Sequence, residues 1–329
     1  MQILVTGGAG FIGSHTCVAL IEAGYSVIII DNLSNSNYKT IKNIIKISGT
    51  NIIFYKIDIT NENSLEKVFN KHKIEAVIHF AGHKAVKESI QHPLKYYNNN
   101  VLGTINLLNK CLEYKVNKFV FSSSATVYGD NQSPLREDMK LSPTTNPYGE
   151  SKVMVERILD DTVKSNPSLS VSLLRYFNPI GAHESGLIGE QPKDIPNNIF
   201  PYITQVASGK LNKLKIFGND YPTKDGTGVR DYIHVMDLAE GHVAALNNLS
   251  KGIHIYNLGT GKGTSVLELV NYFKETNDID IPYEIVERRA GDLAIVYSDV
   301  SKAKREIGWK AQRNIVSMCV DSWRFENNK

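Results

Sequence analysis

The sequence predicts a doubly wound parallel α/β sheet followed by a smaller mixed α/β region, and three observations carry that expectation. Gln2-Ile3-Leu4-Val5-Thr6 is a short apolar run of strand type that passes without a spacer into a glycine-rich turn and then into helical apolar spacing. Strand-like and helix-like patterns alternate as far as Phe177, as repeated crossover connections require. The chemically distinctive residues fall where apolar strands run out, which in such sheets is the ligand side.

Each element can be justified in turn. The turn fits both G-x-G-x-x-G (Gly8, Gly10, Gly13) and G-x-x-G-x-x-G (Gly7, Gly10, Gly13). Glycine is needed there because a side chain would hold the backbone away from a pyrophosphate. The helix that follows, Ser14 to Ala23, offers free N–H donors at its start and stops at Gly24. A second strand, Ser26 to Ile30, ends at Asp31, about 20 residues beyond the glycines as a dinucleotide fingerprint expects. A carboxylate there accepts ribose hydroxyls and repels a 2′-phosphate, so the cofactor reads as NAD rather than NADP. Asn51 to Ile57 is a third strand ending at Asp58, and Asn61 to His72 a helix. Ala76 to Phe80 is a fourth strand running into Ala81-Gly82. A long amphipathic segment, Pro93 to Tyr114, precedes Lys118-Phe119-Val120-Phe121 and a serine run. A helix starts after Pro147, and Ser170 to Phe177 is a sixth strand.

Beyond Phe177 the texture changes. Asn178 to Asp225 is rich in Gly, Pro and Asn, as in Asp194-Ile195-Pro196-Asn197-Asn198, and reads as an irregular cap over a second ligand. The helix Val235 to Asn247 and strand Ile253 to Leu258 read as a return to the sheet, followed by a helix from Ser265 to Glu275. The expected division is an NAD-binding domain over 1–177, with 233–258 returning to it, and a substrate domain over 178–329.

Composition bounds the function. A chain of 329 residues is comfortable for two domains, and 42% hydrophobic with 22% charged residues is ordinary for a soluble enzyme. The net charge of +3, with Lys and Arg scattered among acids, argues against nucleic acid or a membrane surface as partner. No apolar run approaches the ~20 residues of a membrane span. With the first strand beginning at residue 2 there is no room for a signal peptide, and the expected location is cytoplasmic. Cys17, Cys111 and Cys319 lie far apart and read as reduced thiols, Cys17 and Cys111 on helical patterns where burial is expected. No cluster has metal-ligand spacing, so no metal is expected.

The reactive pair is on the helix after Pro147. Tyr148 and Lys152, at i and i+4, share a helix face and address one small volume. Tyrosine titrates near ~10, and a fixed cation beside it favours the phenolate, giving a base where histidine and carboxylate are absent. His83 reads as a solvent-facing loop residue and His79 as a satisfied core histidine.

On these residues the chain resembles the UDP-galactose (UDP-glucose) 4-epimerases of the extended short-chain dehydrogenase/reductase family, nearly end to end. The matching blocks are Thr6 to His15, Asp31 to Ser36, His79 to Gly82, Ser122 to Gly129, Asn146 to Gly149, Arg175 to Pro179 and Asp225 to Val235. The resemblance implies a Rossmann-type fold. Gly7, Gly10, Phe11, Ile12 and Gly13 would line the pyrophosphate. Asp31, Asn32, Asn35 and Ser36 would meet the adenosine ribose, and Asp58 and Ile59 the adenine. Phe80, Ala81, Gly82, Lys84, Asn99, Ser122 and Tyr176 would lie on the nicotinamide side with Tyr148 and Lys152. Asn178, Asn198, Ile199, Lys215, Ile216, Phe217, Arg230, Arg289 and Asp292 would hold a UDP-hexose, the two arginines neutralising its diphosphate. Tyr148 would take the 4′-hydroxyl proton while hydride leaves C4 for NAD, Lys152 would lower the tyrosine pKa, and Ser124 would hydrogen-bond the same oxygen. A homodimer would form through Pro93 to Tyr114 and the Tyr148 helix.

Neighbouring chemistries separate on the same residues. A 4,6-dehydratase needs an acid beside the serine, whereas Ala125-Thr126 follow Ser124, so dehydration is rejected. An epimerase of UDP-uronic acids stays open. A non-catalytic NAD-sensing protein would have no use for Tyr148 and Lys152. The chain departs from glucose-type members at Val296, four residues beyond Asp292, where a large aromatic often stands. Tyr297 faces the other side of an extended strand and cannot replace it. The smaller side chain makes room for an acetamido group, so UDP-N-acetylglucosamine is an expected further, or even dedicated, substrate.

Overall fold

The computed structural model describes residues 1–192, 196, 198–289 and 291–329. Six strands and their helices come first: β1 (Gln2–Thr6), α1 (Phe11–Glu22), β2 (Ser26–Ile30), α2 (Tyr38–Ser48), β3 (Ile53–Tyr55), α3 (Glu62–Lys71), β4 (Ala76–His79), α4 (Val86–Gln91), α5 (Pro93–Tyr96), α6 (Gly103–Glu113), β5 (Lys118–Ser124), α7 (Pro147–Ser165) and β6 (Ser170–Tyr176). The remainder comprises β7 (Asn178–Ile180), α8 (Ile199–Ala207), β8 (Leu214–Phe217), β9 (Val229–Arg230), β10 (Tyr232–His234), α9 (Val235–Asn247), β11 (Gly252–Leu258), β12 (Thr264–Ser265), α10 (Val266–Asn277), β13 (Tyr283–Val286), β14 (Ile295–Val296), α11 (Ser301–Ile307) and α12 (Ile315–Asn327).

The main sheet is parallel, in the order β11-β6-β5-β4-β1-β2-β3. Its strands are apolar at nearly every position because helices cover both faces. Alternate residues go to opposite layers: Ile3, Val5, Ile29 and Ile78 to one core, and Leu4, Ile28, Ile30 and Val77 to the other. Strand order reverses between β1 and β4, so a crevice opens outside Thr6 and His79, at the topological switch point. The smaller region is built from two parallel pairs, β10 with β7 and β13 with β8, and a three-stranded sheet in the order β12-β9-β14. Its core gathers Phe200, Ile203, Ile216, Tyr232, Phe273 and Met318.

Several expectations shift. The third strand is three residues, Ile53–Tyr55, since it is the sheet edge and pairs on one side only. The segment 93–114 is not one helix: a π-helical stretch, Tyr97–Leu102, separates α5 from α6. Gly103 ends that stretch, and a Cβ there would come within 2.6 Å of the Ile59 side chain. The supposedly irregular span 178–225 contains β7, α8 and β8. Within the patch at 194–198, residues 194, 195 and 197 lie outside the described residues. Helix α2 has its own signals, an Asn37 cap accepting from Lys39 N–H and a left-handed Gly49 at its end. No described helix is long and apolar enough to cross a membrane.

Candidate active site

The glycine turn closes where bulk is impossible. Gly7 has φ +68°, and a Cβ there would lie 2.7 Å from the Ala81 nitrogen; one on Gly13 would lie 2.3 Å from the Gly7 carbonyl oxygen. The turn therefore sits directly against Phe80, Ala81 and Gly82. Helix α1 starts from Gly10 with no side-chain cap and no acid in its first turn. The N–H groups of Phe11, Ile12 and Gly13 are thus aimed at the crevice as anion donors. This cradle fits a dinucleotide pyrophosphate.

Asp31 at the end of β2 accepts from Ala9 N–H (3.0 Å), Leu33 N–H (2.8 Å) and the Ser36 hydroxyl (2.8 Å). The fold thus uses three of a carboxylate's roughly four acceptor positions. The remaining acceptor position is left for a ligand hydroxyl. Asn32 donates to Asp58 Oδ2 at 2.7 Å, tying the two strand ends together. Burial opposes the charge on Asp58, but bonds from Thr60 and Asn32 outweigh it and hold the carboxyl below its ordinary range. Ile59 is buried in the core beside Gly103, and Asn35 is exposed.

Under the crevice, His79 is pinned on both ring nitrogens, to the Thr6 hydroxyl at 2.6 Å and the Thr104 hydroxyl at 2.8 Å. Thr104 donates its proton to the Asn100 carbonyl (2.6 Å), and Thr6 accepts from Ala81 N–H (3.2 Å). Thr104 must therefore accept from His79 Nε2–H, and Thr6 must donate to Nδ1, which fixes a neutral tautomer. Burial has pushed this histidine down to about 3. It is the satisfied core histidine that was expected. His83 is half-buried rather than solvent-facing, its ring centroid 5.4 Å from that of Tyr96. Its backbone is held by Asn100, which also donates to Ser151 Oγ at 3.0 Å. Sequence reasoning named Asn99, which is half-covered in the π-helical stretch, and missed Asn100, which locks the loop to α7.

Helix α7 is set by Pro147 in its first turn and by Asn146, whose side chain accepts from Gly149 N–H at 2.9 Å. It presents Tyr148 to Ser124 at the end of β5. Ser124 Oγ accepts from Thr126 N–H (3.3 Å) and the Thr126 hydroxyl (3.0 Å), leaving its own proton for the Tyr148 oxygen. Ser124 therefore caps the following turn and serves the tyrosine together. Burial raises the Tyr148 phenol, while Ser124 and Lys84 pull it down, and the balance lies above the ordinary value. Lys152 acts differently from expectation. Its ammonium donates to the Ser122 carbonyl at 2.7 Å and lies 4.7 Å from the Phe121 ring centroid, so Lys84 is the cation felt by the phenol. Burial pushes Lys152 down to about 8, against the pull of Glu156. Tyr176 donates to His242 Nε2, since His242 Nδ1 is committed to the Leu238 carbonyl at 2.8 Å; the His242 ring also packs on Phe80.

On the facing side, Lys84 pairs with Glu190 at 2.8 Å, and Asn198 donates to the same carboxylate oxygen at 2.6 Å. Sequence reasoning missed Glu190, which joins a cofactor-side to a substrate-side candidate. Asn178 opens β7, its N–H bonded to the Asp231 carbonyl at 2.9 Å, and Ile199 is the first residue of α8. Arg289 stacks on Phe217, 3.9 Å from the ring centroid, and Asp292 is exposed nearby, its N–H on the Arg289 carbonyl. Lys215 is exposed, but Ile216 is buried in the core of the smaller region, so only its backbone can meet a ligand. Arg230 and Val296 are cross-strand partners in β9 and β14. Val296 packs against the buried cluster of Val127, Tyr128, Leu135, Val153 and Phe177, whereas the Tyr297 ring lies over Gly263, facing away as the strand period requires. Tyr221, also missed, feels Asp292, Arg288 and Arg230, and its buried hydroxyl has no hydrogen-bond partner among the described residues. Among those residues, no group of three or more His, Cys, Asp or Glu is arranged to hold a metal.

A protein-family profile described as GDP-mannose 4,6 dehydratase matches residues 4–321. Dehydration needs an acid beside the serine, and Thr126 at that place spends its hydroxyl on Ser124. The chain is 57% identical to the UDP-glucose 4-epimerase of Neisseria meningitidis serogroup C, covering 99% of this chain and 97% of that one. Among solved structures it is similar to the UDP-glucose 4-epimerase of Bifidobacterium longum in complex with NAD⁺ and UDP, at 48% identity and a TM-score of 0.97, covering 100% of this chain and 98% of that one. It is also similar to the UDP-Glc/GlcNAc 4-epimerase of Campylobacter jejuni, at 37% identity and a TM-score of 0.86, covering 100% and 99%.

Proposed function

The chain belongs to the UDP-glucose 4-epimerases of the extended short-chain dehydrogenase/reductase family, and we propose that it interconverts UDP-glucose and UDP-galactose through a 4-keto sugar with NAD as resident cofactor. The observation that carries this reading is the position of the Tyr148 phenol, between Ser124 and the charge of Lys84 at the carboxyl edge of the sheet. Bound NAD supplies a hydride acceptor for C4 and a positive ring that favours the phenolate. Residues 1–177 with 233–258 hold that cofactor: the α1 N-terminus the pyrophosphate, Asp31 and Ser36 the ribose, Asp58 the adenine end. Residues 178–329 otherwise hold the UDP-sugar, with Arg230 and Arg289 on the diphosphate and Phe217 and Asp292 on the nucleoside.

Tyr148 takes the 4′-hydroxyl proton, Ser124 steadies the oxygen that changes charge, Lys84 is the cation beside the phenol, and the buried ammonium of Lys152 ties α7 to the Ser122 carbonyl. The keto sugar must turn over before hydride returns, so the grip is firm on nucleotide and diphosphate and loose on the hexose. The small side chain of Val296, next to Arg230 on the ladder, leaves space for a C2 acetamido group. The Campylobacter jejuni relative named for both sugars supports that extension.

One measurement tests both readings: product spectra from UDP-galactose and UDP-N-acetylgalactosamine, recorded without added NAD. Conversion of the first to UDP-glucose and of the second to its gluco epimer is expected. No turnover of the first ends the epimerase reading, and no turnover of the second ends the acetyl-sugar extension.

We infer a homodimer from the exposed apolar side chains of α4, α5 and α7. Ile90, Leu94, Leu102 and Met154 are 60%, 78%, 43% and 38% exposed on α4, α5, the π-helical stretch and α7, which pack on one another. Apolar side chains grouped in this way on neighbouring elements are what a second copy would cover. Light scattering is expected to give a dimer for the native chain and a monomer for Leu94→Glu; a monomeric native chain would refute the dimer.

A further inference from the structure

Glu156 stands on α7 one turn beyond Lys152 and two beyond Tyr148, on the same face. Its carboxylate is buried and fully engaged. Oε1 accepts from the Ser123 hydroxyl at 2.5 Å and Arg175 Nε at 3.0 Å, and Oε2 from Arg175 Nη2 at 2.7 Å. Both partners adjoin the candidate chemistry. Ser123 lies between Ser122, whose carbonyl receives the Lys152 ammonium, and Ser124, which serves Tyr148. Arg175 precedes Tyr176 and is in register with Ser123. Such a pair is a poor way to gain stability, since apolar residues of similar volume usually do as well. Here Arg175 Nη1 is also left buried without a hydrogen-bond partner among the described residues.

We propose that Glu156 is a positioning residue for the epimerase reaction: through Ser123 and Arg175 it clamps the helix of Tyr148 and Lys152 to the strand ends of Ser122, Ser124 and Tyr176. The proposal rests on the role given to Lys152 above. Lys152 is faced by the Ser122 carbonyl and Phe121 ring of β5, by His79 of β4 and by Glu156 on its own helix; Arg175 of β6 lies behind Glu156. His79 is neutral in its locked tautomer. Burial works against the Lys152 charge and Glu156 works for it. Without that carboxylate, Lys152 sheds its proton at lower pH, and the ammonium that ties α7 to the Ser122 carbonyl is lost earlier as pH rises.

The test is kcat and KM for UDP-galactose from pH 6 to about 10 for the native holoenzyme, Glu156→Gln and Glu156→Asp, with bound NAD and circular dichroism recorded for each. For Glu156→Gln the alkaline limb of kcat should move down by about one pH unit, with kcat about tenfold lower near its upper edge and KM little changed. Glu156→Asp, which keeps the charge, should restore the limb. A folded, NAD-loaded Glu156→Gln whose profile overlays the native one overturns the proposal, because a purely structural role would lower stability or amount without moving the limb. Should the single variant fail to fold, with Arg175 left unpaired, Glu156→Gln/Arg175→Gln carries the test. A limb moved the same way supports the proposal, and an unmoved limb overturns it. A native chain with no epimerase turnover fails the functional reading itself, and this proposal with it.

Discussion

Tyr148→Phe is expected to lower kcat by about 10³-fold while leaving NAD content, UDP affinity and thermal stability close to native. The substitution removes one oxygen and keeps the ring, so packing at the start of α7 persists. Ser124 retains both bonds from Thr126, and its own proton, which loses the phenol as acceptor, sits on a hydroxyl that is only half-buried and open to water. The nucleotide and diphosphate contacts proposed for Phe217, Arg230 and Arg289 lie on other elements, so the loss should fall on kcat with KM little altered, the mark of an interaction made in the transition state. Steady-state kinetics with a melting curve decides it. Retention of a tenth of native kcat would remove Tyr148 from the role of base.

Gly13→Ala should be the most damaging change on the cofactor side. Its Cβ would come within 2.3 Å of the Gly7 carbonyl oxygen and 2.9 Å of the Gly8 Cα, both backbone atoms that cannot swing aside. Helix α1 would have to back away from the turn, spoiling the aim of the Phe11 and Ile12 N–H groups and loosening its packing on the sheet. Overpacking of this kind costs about 1–3 kcal/mol. Purified Gly13→Ala should carry under about a tenth of the native NAD and melt several degrees lower. Native NAD content at full occupancy would contradict the assigned cradle.

What was legible in the sequence and what was not follows the range of the interactions. The glycine turn, Asp31, Asp58 and the Ser124, Tyr148 and Lys152 set are read from local order, because a strand, a turn and a helix start fix them within a few residues. Asn100, Glu190 and Tyr221 escaped notice because each is joined to the site across a gap in sequence, 17 residues from Asn100 to His83 and 106 from Glu190 to Lys84, or, for Tyr221, by charges brought in from other loops. The π-helical stretch was invisible for a similar reason: the pattern of 93–114 is helical, and the shift of register comes with the approach of Gly103 to Ile59. Ile216 was placed among the substrate residues by resemblance, and strand alternation sends its side chain to the core, which leaves its main chain for a ligand. The Lys152 ammonium was expected at the phenol by helical spacing alone, and a backbone carbonyl across the interface claimed it instead.

The pairing of Ile295 and Val296 with Val229 and Arg230 ties two tasks to one stretch of main chain. If Arg230 anchors phosphate and Val296 walls the sugar as proposed, anchor and wall keep a constant separation, like the fixed jaw and scale of a caliper. Exchanging the side chain at 296 would then admit a bulkier or slimmer hexose while the nucleotide stays seated at the same depth.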